Sequence, residues 1–390
     1  MCAPSAACYS ARMTPSRIRA RSWSVSPLEV PLFEPFVIAC GTVTTTRNAL
    51  VRVEIEDGDG RRATGLGEAA TLTPVTEEDL PDALANLAAM EGPIVDRWIA
   101  IDATYRDLGA LLDGAARGAV VSRAGAETAL LDAIARLAGA PLFDLLRAAE
   151  IEGAPAIAAG ARAAMTTDIT IPIRPVETMA SLARAHRAQG FTCFKVKVGR
   201  DVAHDLAAIE AIAGAVPDAA FRIDANGGFS ARDAIALAEG LAARRISVEC
   251  FEQPCATDDL RGMAEVARSI AAPVIADESV KHLDDVRAIL DERAANGVNL
   301  KLAKSGGPLA ALAIGRAAKR AGLSLMCGGM VETRVGMTAA AHVVAALGGV
   351  DFVDLDTAWL LAEERFEGGY VARGPEYALE REPGLGVRER

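Results

Sequence analysis

Short apolar segments alternate with alanine-rich helical segments over the last two-thirds of the chain. The polar ends of consecutive apolar segments recur about every 25 residues, the length of one strand–helix unit. This pattern predicts a (β/α) barrel. A doubly wound open sheet is the alternative, but the sequence has no glycine-rich dinucleotide motif to support it. Eight segments have the character of buried strands: Asp168–Ile171, Cys193–Val198, Phe221–Asp224, Val248–Glu252, Val274–Asp277, Val298–Leu302, Ser324–Met326 and Phe352–Leu355.

The first third of the chain follows another pattern. Residues from about 22 to 70 alternate like strands, and Asp57–Gly60 has the composition of a hairpin turn. From Thr76 to about Leu146 the pattern becomes helical, most clearly over Ala126–Leu137. Strands followed by helices predict an α+β unit. We therefore place an α+β domain at residues 23–150, the barrel at 151–362 and a tail at 363–390.

Residues 1–22 are rich in Arg and Ser and lack acidic residues. We predict a disordered extension. A transit peptide has a similar composition, whereas a secretory signal would need an apolar core that is missing here.

Composition narrows the classes of function. The 390 residues carry a net charge of −11, which argues against a general nucleic-acid binder. No apolar run approaches the length of a membrane span. The seven cysteines are scattered and form no CxxC pair, which disfavours a zinc site and a disulfide framework. A cytoplasmic location fits best.

Three carboxylates stand at the ends of successive predicted strands: Asp224, Glu252 and Asp277. Carboxyl ends of barrel strands converge on one mouth, so these groups would repel one another unless a cation lay between them. Ligation by oxygen atoms alone, with room for substrate oxygens, suits Mg²⁺. The alternative is that each acid only caps the helix that follows it.

Lysine is rare in this chain. Only six of the 41 lysine and arginine residues are lysines, and a lysine, unlike an arginine, can lose its proton and act as a base. Lys195 and Lys197 share one face of the second strand, and Lys301 ends the sixth strand, across the barrel. Like charges and a metal would lower their pKa values. Bases on opposite sides of one carbon predict racemisation or epimerisation. Lys304 falls outside the inward alternation, and we interpret it as supporting or solvated.

These segments resemble the enolase superfamily, muconate-lactonizing enzyme subgroup, over nearly everything after about Ser24. The resemblance implies an α+β capping domain, completed by the C-terminal tail, on a modified (β/α)₇β TIM-type barrel. It also implies one Mg²⁺ per subunit on Asp224, Glu252 and Asp277, and a metal-stabilised enolate flanked by the catalytic residues Lys197 and Lys301. The segments that carry it are Phe194–Gly199, Asp224–Asn226, Phe251–Pro254, Asp277–Ser279 and Leu300–Gly307.

Asp354 and Asp356 narrow the expected substrate. Two acids two residues apart at the last strand point the same way and suit a substrate ammonium group. The pair is similar to that of dipeptide epimerases, where it holds the free α-amino group, and Thr170 and Lys195 match positions that touch substrate in those enzymes. We therefore expect epimerisation of the C-terminal residue of an L,L-dipeptide by two-base 1,1-proton transfer. The alternative for the pair is a surface turn with two capping acids.

The second residue of the dipeptide is not expected to be Glu. Enzymes of this type that act on Ala-Glu carry an Arg in the capping-domain loop, and the ungapped comparison places Gly41 there. Arg47 lies nearby in the sequence. Ile38 and Cys40 fit an apolar pocket, so we expect a hydrophobic second residue.

Three other functions compete with this one. N-acylamino acid racemases and o-succinylbenzoate synthases share the metal and lysines but handle substrates without a free ammonium, and a muconate-type cycloisomerase is more distant. A non-catalytic binding protein with the same fold is a further alternative. A histidine base is disfavoured because His186, His204, His282 and His342 all fall in or beside helical stretches. We expect no nucleic-acid or membrane partner; relatives often assemble as oligomers.

Overall fold

Alternation along the first strand explains how the capping domain begins. The computed structural model describes residues 14–38, 41–151 and 163–390. In it, β1 (Arg17–Leu28) buries Ile18, Ala20 and Trp23 on one face. The strand starts earlier than we predicted, because Ile18 and Ala20 reach the core while the arginines between them stay at the surface. Residues 17–22 therefore belong to the capping domain. The rest of the predicted extension, residues 1–13, lies outside the described part.

The capping domain combines an antiparallel sheet with helices, as predicted. The sheet has the order β5-β4-β1-β6, and β2 and β3 form a separate hairpin. Its elements after β1 are β2 (Pro31–Ile38), β3 (Gly41–Thr45), β4 (Asn48–Asp57), β5 (Arg62–Ala69), α1 (Leu80–Ile94), β6 (Trp98–Ala100), α2 (Arg106–Ala116), α3 (Val120–Ala138) and α4 (Leu142–Ala148).

Eight parallel strands form the barrel in sequence order, from β8 to β15. The backbone N–H of Asp168 donates to the carbonyl of Val353 at 3.1 Å, joining the first strand to the last. Because neighbouring strands follow the order of the sequence, the sheet has no topological switch point. The open-sheet alternative was therefore wrong, and the (β/α)₇β barrel is confirmed. The elements are β7 (Ala164–Thr166), β8 (Ile169–Ile171), α5 (Val176–Ala188), β9 (Cys193–Lys197), α6 (Val202–Ala215), β10 (Ala220–Asp224), α7 (Ala231–Ala243), β11 (Val248–Glu252), α8 (Leu260–Ser269), β12 (Val274–Ala276), α9 (Leu283–Glu292), β13 (Gly297–Leu300), α10 (Leu302–Ser305), α11 (Pro308–Arg320), β14 (Ser324–Gly328), α12 (Arg334–Leu347) and β15 (Phe352–Asp354).

The C-terminal tail leaves the barrel and touches the capping domain. Its backbone N–H at Leu385 donates to Asp132 at 2.7 Å, and Arg136 donates to the carbonyl of Val387 at 2.6 Å. A short 3₁₀ turn (Thr357–Trp359) precedes the tail strands β16 (Phe366–Gly368), β17 (Tyr370–Arg373), β18 (Glu376–Leu379) and β19 (Val387–Glu389). Among the described residues, no helix is both long and apolar enough to cross a membrane.

Glycine brings β5 unusually close to the long helix α3. A methyl group added at Gly67 would lie 2.0 Å from the carbonyl oxygen of Gly125, and one added at Gly65 would lie 2.1 Å from that of Ala129. Both oxygens belong to helix backbone, which cannot move aside without breaking the helix. The packing of sheet on helix therefore depends on the absence of side chains at these positions.

We expect Gly67→Ala to lower the free energy of unfolding by about 2 kcal/mol or more, because overpacking against fixed backbone strains the core. Urea denaturation measures the change. Gly114→Ala is the matched control: nothing lies within 4 Å of an added methyl group there. Because alanine favours a helix, this variant should be neutral or stabilised by roughly 1 kcal/mol or less. Equal stability of the two variants would contradict the close-approach argument.

Candidate active site

Parallel register gathers the predicted site residues in one layer at the barrel mouth. Asp224 ends β10 and pairs with Lys197 on one side and Glu252 on the other. Asp277 and Lys301 each follow directly after the next two strands, β12 and β13. All five side chains are buried. The sequence prediction that strand ends bring these groups together therefore agrees with their positions.

Each carboxylate of this layer touches a lysine. Lys197 Nζ donates to Asp224 Oδ2 at 2.6 Å, and Lys301 Nζ donates to Asp277 Oδ2 at 2.6 Å. Lys195 Nζ lies 2.6 Å from Glu252 Oε2 and 3.1 Å from Asp224 Oδ2. The positive charges offset much of the repulsion among three buried acids.

Lys304 also belongs to this cluster, so of its two interpretations, supporting or solvated, the structure agrees with the first and excludes the second. It is only 5% exposed. Its Nζ donates to Asp277 Oδ1 at 2.6 Å and to the Asp277 carbonyl oxygen. The chain turns into α10 directly after Lys301, and residues three apart in a helix share one face. Strand alternation could not anticipate that turn.

The acids differ in their affinity for protons. Burial opposes ionisation of Asp224 and Asp277, but the charges of Lys197 and Lys301 outweigh it and hold both pKa values below the usual range. Burial and the neighbouring charge of Asp224 instead raise the pKa of Glu252 to about 8. Protons therefore bind Glu252 before the other two.

We expected lowered lysine pKa values, and the protein groups do the opposite at Lys301. Burial lowers its pKa, but the negative charges of Asp277 and Glu252 more than offset that and raise it. The same balance, with Asp354 as the largest attractive charge, raises the pKa of Lys195. The surrounding acids thus favour the protonated form of both lysines.

The three strand-end acids could hold a divalent cation. Glu252 Oε2 is buried and lies 2.6 Å from Lys195 Nζ, without a hydrogen bond of regular geometry. Its partner oxygen Oε1 accepts from Asn299 Nδ2 at 2.6 Å, which fixes the direction of the carboxylate. Asp277 is fixed in turn, because its backbone N–H donates to Gln253 Oε1 at 2.8 Å. An oriented, all-oxygen donor set fits Mg²⁺.

A second acidic group lies closer together than the predicted ligands. Asp168, Asp354 and Asp356 each offer one oxygen, and these oxygens lie within 4.8 Å of one another. Asp168 is already paired with Arg222 at 2.7 Å. Asp354 Oδ2 accepts from Lys195 Nζ at 2.7 Å. A second cation competes poorly here because two fixed positive charges are present.

Asp356 lines the cavity and can readily gain or lose a proton. Its Oδ2 accepts from the backbone N–H of Thr170 at 2.6 Å. Burial and the charge of Asp354 raise the pKa of Asp356 to about 6. Asp354 is the reverse: the charge of Lys195 outweighs burial and lowers its pKa. When a cationic group binds between the two acids, Asp356 can lose its proton, and the negative charge it then carries offsets the positive charge of that group.

Six of the predicted residues line one cavity between the capping domain and the barrel mouth: Thr170, Lys195, Lys197, Lys301, Asp354 and Asp356. The metal-ligand candidates lie just beneath it. Much of the remaining lining is apolar, with contributions from both domains: Phe36, Ile38, Leu72, Val75, Met330, Val331 and Leu360. We call these seven residues the apolar wall.

Among the described lining residues there is no arginine. Gly41 begins β3 with nothing within 4 Å of an added methyl group. Arg47 lines a different depression, beside Thr71, so it supplies no charge to the cavity. Cys40 lies outside the described residues. The expected lack of a cation for an acidic substrate side chain stays a prediction.

Two neighbours of the cluster were missed in the sequence analysis. Asn226 Oδ1 accepts from Lys197 Nζ at 3.3 Å, and Asn226 Nδ2 donates to Glu278 at 3.1 Å. Glu278 directly follows Asp277, and Asn226 lies two residues after Asp224. Proximity to a candidate metal ligand was the signal that could have identified them. None of the four histidines lines the cavity, in agreement with the rejection of a histidine base.

Comparison with known proteins agrees with this geometry. The family model for the mandelate racemase/muconate lactonizing enzyme N-terminal domain matches residues 22–147, and the enolase C-terminal domain-like model matches residues 178–389. A hydrophobic dipeptide epimerase from Citrifermentans bemidjiense is 35% identical, over 94% of this chain and 96% of its own length.

Solved structures of similar proteins have the same fold. A substrate-liganded L-Ala-D/L-Glu epimerase from Bacillus subtilis has a TM-score of 0.87 at 30% identity, covering 95% of this chain and 99% of the other. A dipeptide epimerase from Enterococcus faecalis complexed with Mg and L-Leu-L-Tyr has a TM-score of 0.84 at 29% identity, covering 95% and 100%.

Removing one strand-end acid tests which group binds the cation. We expect Asp277→Asn to weaken Mg²⁺ binding at least about 10-fold, because even changes to residues behind a metal ligand have effects of that size. Isothermal titration calorimetry measures the affinity. Asp356→Asn, in the second acidic group, should leave it unchanged. The reverse pattern would assign the ion to Asp168, Asp354 and Asp356.

Proposed function

The chain belongs to the mandelate racemase/muconate lactonizing enzyme family of the enolase superfamily, and from this we propose that it is a Mg²⁺-dependent dipeptide epimerase. It inverts the α-carbon of the C-terminal residue of an L,L-dipeptide. The observation that carries the proposal is the position of Lys197 and Lys301. They end the second and sixth of eight barrel strands, on opposite sides of one cavity.

The two lysines divide the proton transfer between them. A neutral amine on one side of the α-carbon takes its proton, and a protonated amine on the other side returns one, which inverts the configuration. For this, one of the two must be neutral and the other charged when substrate binds. Each lysine has its own carboxylate partner: Lys301 lies against Asp277, and Lys197 against Asp224 and Asn226.

Asp224, Glu252 and Asp277 would hold the Mg²⁺. Bound there, the ion would neutralise the substrate carboxylate and make the neighbouring C–H bond more acidic. Glu252 has to release its proton to act as a ligand. Its Oε1 is held by Asn299, which leaves Oε2, beside Lys195, as the oxygen that would face the ion.

Asp354 and Asp356 would bind the free α-amino group of the dipeptide. An N-acylated amino acid has no cation to place beside them, so its neutral acyl end would be buried against two acids without a compensating charge, at a cost in binding free energy. This distinguishes a dipeptide epimerase from the N-acylamino acid racemase and o-succinylbenzoate synthase alternatives.

The apolar wall favours a hydrophobic C-terminal side chain. A glutamate side chain would bury its charge against Leu72, Val75 and Met330 with no lining arginine to pair with. The relative that acts on hydrophobic dipeptides and the L-Leu-L-Tyr complex support this preference.

The described cysteines are all free, which supports the proposed cytoplasmic location.

Deuterium exchange tests the proposed reaction. With Mg²⁺ and L-Ala-L-Leu in D₂O, the protein should incorporate one deuterium at the leucine α-carbon, read by mass spectrometry. Lys197→Ala and Lys301→Ala should each abolish epimerisation, because inversion needs both lysines. Each variant should keep exchange with only one of the two diastereomers, since the remaining lysine reaches one side of the carbon.

Lys319→Ala is the control for this series. Lys319 lies in the last turn of α11, away from the cavity, and donates to the carbonyl of Gly348. Replacing Lys319 should not change the incorporation of deuterium. An absence of deuterium with every dipeptide tested would refute the proposed function. Full epimerisation by either single variant would refute the two-base assignment.

The acid pair has a test of its own. The double variant Asp354→Asn, Asp356→Asn should raise KM for the dipeptide by about 100-fold, because hydrogen bonds between charged groups contribute roughly 1.5–3 kcal/mol each. Steady-state epimerisation kinetics measure this. N-succinyl-leucine should be a poor substrate for both proteins. Unchanged dipeptide kinetics in the double variant would remove the pair from substrate binding.

A further inference from the structure

One buried amide joins the two domains directly behind the apolar wall. Asn48 begins β4 in the capping domain and has no exposed surface. Its Nδ2 donates to the carbonyl of Val331, in the barrel, at 2.8 Å and to Glu68 Oε1 at 2.6 Å. Its Oδ1 accepts from the backbone N–H of Thr71 at 3.2 Å. Both amide hydrogens and the oxygen are therefore in use.

Each backbone partner of Asn48 adjoins the wall on a different side of the domain boundary. Thr71 precedes Leu72, which lines the cavity from the capping domain. Val331 and its neighbour Met330 line it from the barrel. Leu72 packs with Met330 in one small apolar cluster. The Asn48 amide thus links the two halves of the wall across the domain boundary.

A carboxylate from the capping domain holds the barrel half in place. Glu68 accepts from the backbone N–H of Thr333 at 2.9 Å, from its hydroxyl at 2.6 Å and from the backbone N–H of Gly336 at 3.0 Å. These groups lie at the beginning of α12, where helix N–H groups lack partners within the helix. The segment that carries Met330 and Val331 is therefore anchored at its far end by the residue that also binds Asn48.

We propose that Asn48 is a positioning residue that sets the separation of Leu72 from Met330 and Val331, and thereby the selectivity for the C-terminal side chain. The inference rests on the proposed function and goes beyond it by assigning selectivity to a residue that does not touch substrate. Hydrogen bonds of fixed length hold the two halves of the wall together. Without them each half can relax separately, so the contact area offered to a large apolar side chain is no longer fixed.

The test compares a large and a small C-terminal side chain. We expect Asn48→Ala to reduce the ratio of kcat/KM for L-Ala-L-Leu over that for L-Ala-L-Ala by about 10-fold or more, within the range that apolar pockets achieve. The loss should lie in KM for L-Ala-L-Leu. The kcat for L-Ala-L-Ala should change little, because the lysines and acids stay in place.

Two further variants complete the comparison. Asn86→Ala removes a capping-domain asparagine that donates to Glu78 at 3.1 Å, within the same domain. It breaks no bond across the domain boundary and should leave the ratio unchanged. Asn48→Ser is too short to reach Val331 but leaves a hydroxyl that can still donate to Glu68, so the buried carboxylate keeps a partner. It should shift the ratio in the same direction, and it serves if the alanine variant does not fold.

A double-mutant cycle separates positioning from general loosening. Leu72→Ala alone should also reduce the L-Ala-L-Leu preference, because it shortens the wall directly. If Asn48 acts through that wall, adding Asn48→Ala should reduce the preference by much less than the product of the two single effects. Full additivity, or a Leu/Ala ratio unchanged by Asn48→Ala, would overturn the inference.

A measurement without substrate separates this inference from the proposed function. Amide hydrogen exchange at Thr71 should accelerate in Asn48→Ala, since its acceptor is gone, and remain slow in Asn86→Ala. If the parent protein exchanged no α-proton of any dipeptide but Thr71 behaved as expected, the proposed function would fail. The positioning role of Asn48 would still hold. Unchanged exchange at Thr71 would refute that role.

Discussion

Three carboxylates can be buried at the mouth of this barrel because four ammonium groups are buried with them. An isolated charge in the protein interior costs several kcal/mol, and like charges together cost more. Here every acid of the layer lies within contact of at least one of Lys195, Lys197, Lys301 and Lys304. The strands that end in these residues are neighbours, so the pairing requires the barrel register, and the register in turn places the charges.

The same network explains why lysine remains in a chain that otherwise uses arginine. Each lysine ends in a single nitrogen that fits between carboxylate oxygens, whereas a planar guanidinium would need a wider space. Lys195 uses this compactness most fully: it touches Glu252 of the cation site and Asp354 of the acid pair. One side chain thus couples the two sites expected to hold opposite ends of a dipeptide.

The sequence predicts which site residues lie together in space only where a regular spacing along the chain brings them there. Strand ends recur regularly, so the positions of Asp224, Glu252 and Asp277 follow from spacing alone. Lys304 does not, because its direction is set by a turn into a four-residue helix that no periodicity marks. The start of β1 was missed because its alternating arginines resemble a disordered, basic segment.

Ile38 was predicted to face an apolar pocket and does line the cavity, but the rest of the apolar wall was not predicted, for a further reason. Leu72 and Met330 are brought together by two domains whose sequences carry separate patterns, and Asn48 shows no motif that would mark it. This separation also has a functional consequence. In the proposed function, the barrel alone supplies the groups that would move protons, while the capping domain supplies four of the seven residues of the apolar wall. Substrate preference can therefore change through the capping domain while the charged layer beneath stays intact.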